Sequence, residues 1–262
     1  MKKHLKIFAC YFKLNLASAL EYRASFISQA FGMALSNSSF VFFWWVAFSQ
    51  IGGFIADYSF EDVMFVWALT STGYGLAFIL FANVSQLTRL IVTSELDVFL
   101  SQPCNVLMNF ICARTSLSAY GDFMYGFILM AIVYKLNLAA WLWFVYGVIL
   151  CALMSTALLL ATHTLTFYIG EATLLGRLAN EFAINFAIYP EKIYAPALRA
   201  MMYSVIPMGI AVHIPLRLFR RFTPGMALLA LCAMILYCAV AGAFFYRGLR
   251  RYESGNAIVT RL

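Results

Sequence analysis

The chain has 262 residues, of which 64% are hydrophobic and only 11% charged, against about 25% charged in an ordinary soluble domain; a water-soluble globular protein is excluded. The formal net charge of +7 is no case for a nucleic-acid partner, because in so apolar a chain excess lysine and arginine mark loops at the membrane surface and their contact with anionic lipid. At about 20 residues per crossing there is room for about five to seven spans, and no stretch remains for a separate soluble domain. The expectation is an all-α integral membrane protein, one membrane domain over residues 1–262.

The N-terminal stretch 1–22 reads as an interfacial amphipathic helix. At about 100° per residue Leu5, Phe8, Phe12, Leu16 and Ala19 form one stripe, with Lys2, Lys6 and Lys13 on its flank. Ile7, Tyr11 and Leu14 make the opposite face less polar, so part of it is expected to pack on protein. Ala17-Ser18-Ala19 has the small-x-small look of a signal cleavage site, but Lys13 and Asn15 interrupt the apolar run before it.

The first span is expected over Ala24–Ser49, which holds Phe-Val-Phe-Phe-Trp-Trp at Phe40–Trp45 and no charge. Gly52-Gly53 ends it, and Asp57, Glu61 and Asp62 make the next loop acidic. Ser59 with Asp62 is a capping pair for the second span, about Asp62–Val84. That span carries Thr70-Ser71-Thr72 before Gly73-Tyr74-Gly75, a pattern of close helix packing or of a polar path.

Residues 85–105 mix charge with apolar residues and end at Pro103, and are expected as a short amphipathic helix outside the membrane. Further spans follow at about Ser116–Tyr134, with Asp122 near its start, and at Ala140–Tyr168, with His163. The region Ala172–Tyr189 is weaker, interrupted by Arg177, Asn180, Glu181 and Asn185, with Arg177 and Glu181 spaced to pair. Prolines at 190, 196, 207 and 215 forbid one straight helix over 190–222, so re-entrant or broken helices are expected there. The last span is about Pro224–Tyr246.

Five basic residues through Arg23 and four from Arg247 onward put both termini in the cytoplasm, which requires an even number of spans; six fits. Arg217, Arg220 and Arg221 then fall on the outer side against the rule, unless the broken segment re-enters. No H-E-x-x-H or G-x-S-x-G motif is present, and no Gly-Lys dipeptide, which excludes a Walker A loop. The six cysteines form no C-x-x-C pair and read as free thiols. No metal site, bound cofactor or catalytic residue is expected. Asp122 and His163 are the intramembrane titratable groups on which an alternative reading, a stand-alone ion-coupled secondary transporter, would rest.

The stretch Arg89-Leu90-Ile91-Val92, then Ser94-Glu95-Leu96-Asp97-Val98-Phe99-Leu100-Ser101-Gln102-Pro103, resembles the loop after the second span of bacterial ABC type-2 permeases, with the pattern R-x-I-x-x-G-E-L-D-x-x-L-x-x-P. The ending Arg247-Gly248-Leu249-Arg250-Arg251-Tyr252-Glu253-Ser254 is similar to the terminus of the same group, as are Phe42-Phe43-Trp44-Trp45 and the Ile206-Pro207, Ile214-Pro215 spacing. Ser94 departs from the pattern, which commonly has glycine. The resemblance implies a half-transporter in the bacterial inner membrane, with a second permease subunit, the same or paralogous. Two cytosolic ABC ATPase subunits would hold the ATP and magnesium. It implies an elbow helix at 1–22, a coupling segment at 85–105 and short external helices at 190–222. Arg89, Glu95, Leu96, Asp97, Phe99 and Pro103 are then the expected ATPase-coupling residues. Asn37, Ser38, Thr70, Ser71 and Thr72, the polar groups nearest mid-span, are the candidates for the translocation pathway.

Overall fold

The computed structural model describes residues 2–21 and 23–253, with the side chains of 2–7 and 18–20 outside the description. Among the described residues there is no strand. Helix α1 (Lys2–Glu21) leads into α2 (Arg23–Ile51), whose end is capped by Gly52 at φ +66° with its N–H on the Phe48 carbonyl at 2.9 Å. Helix α3 (Phe60–Phe81) starts with the expected capping box: the Ser59 hydroxyl accepts from the Asp62 N–H at 3.2 Å, and the Asp62 carboxylate accepts from the Ser59 N–H at 2.7 Å. A 3₁₀ stretch, Ala82–Gln86, carries α3 into α4 (Leu87–Val92). Then come α5 (Asp97–Leu100), α6 (Val106–Ile111), α7 (Ser118–Tyr134), α8 (Leu138–Thr164), α9 (Thr166–Ile169) and α10 (Thr173–Ile188). Helices α11 (Pro196–Tyr203) and α12 (Ile214–Arg220) flank a π-helical turn, Gly209–His213, and α13 (Pro224–Leu249) completes the bundle.

Among the described residues, four helices are long and apolar enough to cross a membrane: α2, α3 with α4, α8 with α9, and α13. Helix α7, with 17 residues, is apolar but shorter, about 26 Å at 1.5 Å per residue, and α10, with 16, is shorter still and more polar. Helices α3 and α8 form the centre, 78% and 72% of their apolar windows being buried, whereas α2 and α13 bury only 17% and 22% and turn large side chains such as Phe31, Phe42 and Leu236 outward. The small residues of α3 explain the central packing. A Cβ on Gly75 would lie 2.6 Å from the Phe123 backbone nitrogen, and one on Gly126 would lie 2.0 Å from Thr72 Oγ1, so only glycine lets α3 and α7 approach this closely.

The broken segment 190–222 is a helical hairpin. Pro196 opens α11, where its missing N–H costs nothing. Pro215 lies just after the π turn, where the lost backbone bond is absorbed by the wider spacing. The Tyr237 hydroxyl, on the middle turns of α13, donates to the Val205 carbonyl at the hairpin tip at 2.9 Å, so the hairpin dips into the bundle and returns.

At the end of the bundle that carries this hairpin, the cap end, Arg217 pairs with Glu191, Arg220 with Asp62 and Lys192 with Asp57. The arginines that stood against the charge rule are thus two of three in acidic company. Buried His213 binds the hairpin to its neighbours: its Nε2 donates to the Phe186 carbonyl at 2.9 Å, leaving Nδ1 to accept from Tyr58 at 3.0 Å. Arg177 and Glu181 do not form the pair their spacing suggested; both are exposed on α10, and the ion pairs among the described residues are elsewhere. All six cysteines are free, with Cys10 and Cys232 exposed rather than buried.

At the opposite, tail end, α1 lies on α6: Tyr11 donates to Asn109 Oδ1 at 2.6 Å and Asn15 to the Cys112 carbonyl at 3.2 Å. The inward stripe of α1 therefore passes through Phe8, Tyr11 and Asn15, while Phe12, expected inside, is 38% exposed. Leu5 and Ala19 of the expected stripe, Ile7 of the opposite face, and Lys2 and Lys6 of the flank lie outside the described side chains.

Candidate functional site

Two places gather the sequence-derived candidates. The first is the segment between α4 and α6 at the tail end. Helix α4 is buried on α8 through Leu87, Leu90 and Ile91, and Thr88 bonds His163 Nδ1 and Thr166 Oγ1, each at 2.8 Å. The chain then reverses at Ser94, which sits at φ +59° in the left-handed region. That backbone is free for glycine and strained for other residues, which accounts for the glycine of the related pattern. The reversal sends Leu96 inward, where it is fully buried with Leu87, Phe110 and Phe245 in one apolar cluster. Leu96 therefore cannot touch a partner subunit and acts as the anchor of the turn, a correction to its expected role.

Instead of one helix ending at Pro103, the segment has the single turn α5, with the chain bending over Ser101–Cys104. Phe99 is half-buried, edge-on to Phe110 at 5.9 Å between ring centres. Phe110 stacks on Phe245 of α13, and Phe245 meets Phe167. The outward rim is Glu95, Val98, Leu100 and Pro103. Val98 is 59% exposed, and sequence reasoning missed it because only the turn geometry decides which apolar residue faces out. Arg89 Nη1 donates to both Glu95 oxygens at 2.7 and 2.8 Å across the turn, and this holds the Glu95 carboxyl below its ordinary range. Asp97 is not isolated: the buried Tyr252 hydroxyl of the basic tail lies beside Asp97 and Ser94. Ser254, the last residue of that tail motif, falls outside the described residues.

The second place is a cavity of about 370 Å³ between α2, α3, α7 and α10. Asn37, Thr70 and Ser71 line it; Ser38 and Thr72 do not. Ser38 is exposed and back-bonds to the Ala34 carbonyl at 2.8 Å. Thr72 is fully buried at the Gly126 contact, where its hydroxyl serves packing. Thr70 also back-bonds along its own helix, to the Val66 carbonyl at 2.8 Å. Asp122 completes the cavity: Asn37 Nδ2 donates to its carboxylate at 2.8 Å and the Ser71 hydroxyl to its backbone carbonyl at 2.8 Å. His163 is not part of this site. It is buried against Gly176 of α10 and held by Thr88, so Asp122 and His163 do not meet in one relay.

Residues 35–256 match the sequence profile of the family described as ABC-2 family transporter protein. The chain belongs to that family. It is thus the permease component of an ABC transporter, a multi-pass membrane protein of a kind that works with ATPase subunits. No curated protein matches the chain. The matched region takes in the turn between α4 and α6 and every cavity-lining residue except Met33, and it begins after α1 and the first three turns of α2.

Proposed function

We propose that this ABC-2 permease is the membrane half of an exporter, with two cytosolic ATPase subunits docked on the rim Glu95, Val98, Leu100 and Pro103. ATP and magnesium belong to those partner subunits, and the transported substrate moves outward between two permease subunits, identical or paralogous. The observation that carries the reading is the rim's mounting. Its exposed side chains stand on an apolar platform joining α3 and α4, α6, α8 and α13, so a push on the rim reaches the two central helices without an intervening flexible link. Arg89 and Glu95 stiffen the turn itself.

Six crossings, with both termini in the cytoplasm of a bacterial inner membrane, fit the same reading. The cap end would face outward, and its arginines are offset there by Glu191 and Asp62. The wide exposed apolar faces of α2 and α13 suit lipid or the second permease.

Copurification with a P-loop ATPase subunit is the direct test. The expected result is a stable complex whose ATP hydrolysis drives transport. The double variant Glu95→Lys, Asp97→Lys should lose the ATPase while still inserting with all its spans. Transport by the isolated chain on a proton gradient alone, with no ATPase bound, would overturn the proposal.

A further inference from the structure

The cavity is chemically lopsided. Its wall is mostly apolar, yet it holds one carboxylate and no positive charge. Among the described residues no lysine, arginine or histidine pairs with Asp122, whose side chain accepts from the neutral Asn37 amide. A carboxylate away from bulk water is costly unless a cation or several donors answer it. Three more polar groups on the wall are left without partners among the described residues: the Tyr74 hydroxyl, the Trp67 indole N–H and the Asn180 amide oxygen. Tyr74 is 91% buried by the 9% exposure it retains, so only something held in the cavity can bond its hydroxyl. The site is therefore incomplete in a specific way: a missing positive charge next to Asp122, with polar atoms beside it able to take further hydrogen bonds.

Trp67, Tyr74 and Phe78 line the cavity from α3, Tyr74 and Phe78 one turn apart and Trp67 two turns before Tyr74, and aromatic rings attract organic cations. A volume of about 370 Å³ lies at the small end of ligand pockets, too large for a bare metal ion and suited to a compact organic molecule. We propose that this cavity binds a lipophilic organic monocation, with Asp122 as counter-ion and the α3 aromatics as its wall. This deepens the transport reading and rests on it for the meaning of binding, but the cavity lies within one chain and its occupancy does not depend on the ATPase.

The test uses the full-length chain with its partner subunits in lipid nanodiscs, with tetraphenylphosphonium as probe and the same-shaped anion tetraphenylborate as control. Empty nanodiscs give the background from partition into lipid. The expected result is saturable binding of one phosphonium per permease chain, with no competition from the borate. Asp122→Asn should weaken it about tenfold or more, and Asp122→Glu should keep most of it. A measurement on the unaltered chain covers the case in which D122N does not fold. Labelling of Asp122 by dicyclohexylcarbodiimide, read by mass spectrometry, should be slowed by the phosphonium and not by the borate. Equal binding of cation and anion, equal binding by D122N, or no protection of Asp122 overturns the inference. If any of these occurs while the ATPase complex forms and transports, the cavity assignment alone falls; if the ATPase complex is missing, the transport reading falls.

Discussion

At the cap end the elements are joined by charge. Glu191, buried, receives Arg217 and the Tyr203 hydroxyl, and Asp62 receives Arg220, whose guanidinium also lies 5.0 Å from the centre of the Tyr58 ring. At the tail end they are joined by hydrocarbon, through Leu96, Phe110, Phe245 and Phe167, while the ion pair Arg89–Glu95 sits outside on the rim. Both ends pair their charges, but the cap end buries the carboxylates of Glu191 and Asp62 in doing so, whereas the tail end keeps both members of its pair at the surface. That difference suits the roles proposed for them, a self-contained cap at one end and a docking rim at the other.

Leu96→Ala should break this contrast most sharply. Removing a fully buried leucine leaves a cavity under the turn, at a cost of about 2–5 kcal/mol, and thermal unfolding in nanodiscs should fall accordingly, with ATPase binding lost as well. A change too small to resolve would mean that the platform does not support the rim.

Glu191→Gln comes next, at about 1–3 kcal/mol, toward the lower end because Arg217 is partly exposed and screened. Its pH signature is more telling. Burial raises the Glu191 carboxyl, but the hydrogen bonds from Arg217 and Tyr203 outweigh it and hold the group below its ordinary 4.5. The stability it adds is thus fully present above about pH 4.5 and is lost as pH falls through the lower folded value. Melting temperature recorded downward from pH 5 should drop more steeply for the wild type than for E191Q; parallel curves would contradict the assignment.

Ser94→Gly should stabilise slightly, by under about 1 kcal/mol, since it relieves a left-handed serine and loses only a hydroxyl near Tyr252. A clear destabilisation would show that the serine hydroxyl matters more than the backbone. Smallest of all for stability is Glu95→Gln, which should leave melting unchanged, because the pair it breaks is solvent-exposed. Coupled ATPase activity should fall in the same variant. Loss of folding with retained activity would reverse the roles given to the two ends.

Much of this was legible in the chain. Long uncharged runs fixed the helices α2, α3, α8 and α13 to within a few residues, and the Ser59–Asp62 cap and the four prolines placed a helix start and a broken hairpin. These are local matters: hydropathy over a helix length, a three-residue hydrogen bond, a missing N–H. The pathway candidates show where such reading stops. Thr70, Ser71 and Thr72 are adjacent and alike in chemistry, yet Ser71 and Thr70 reach the cavity while Thr72 is pinned at Gly126. Successive residues on a helix point about 100° apart, and which direction is cavity and which is packing depends on the neighbours.

The sequence by itself determined that the protein lives in a membrane, where its helices run and that a charged loop resembling an ABC-2 coupling segment follows the second of them. Only the tertiary structure decided which of those loop residues face out, that Leu96 is an anchor, and that Asp122 meets Asn37 across 85 positions of chain. The physical reason is separation. Insertion into a bilayer is a sum over consecutive residues, whereas a rim or a cavity is made of side chains that are distant in the chain and adjacent only once the helices have packed.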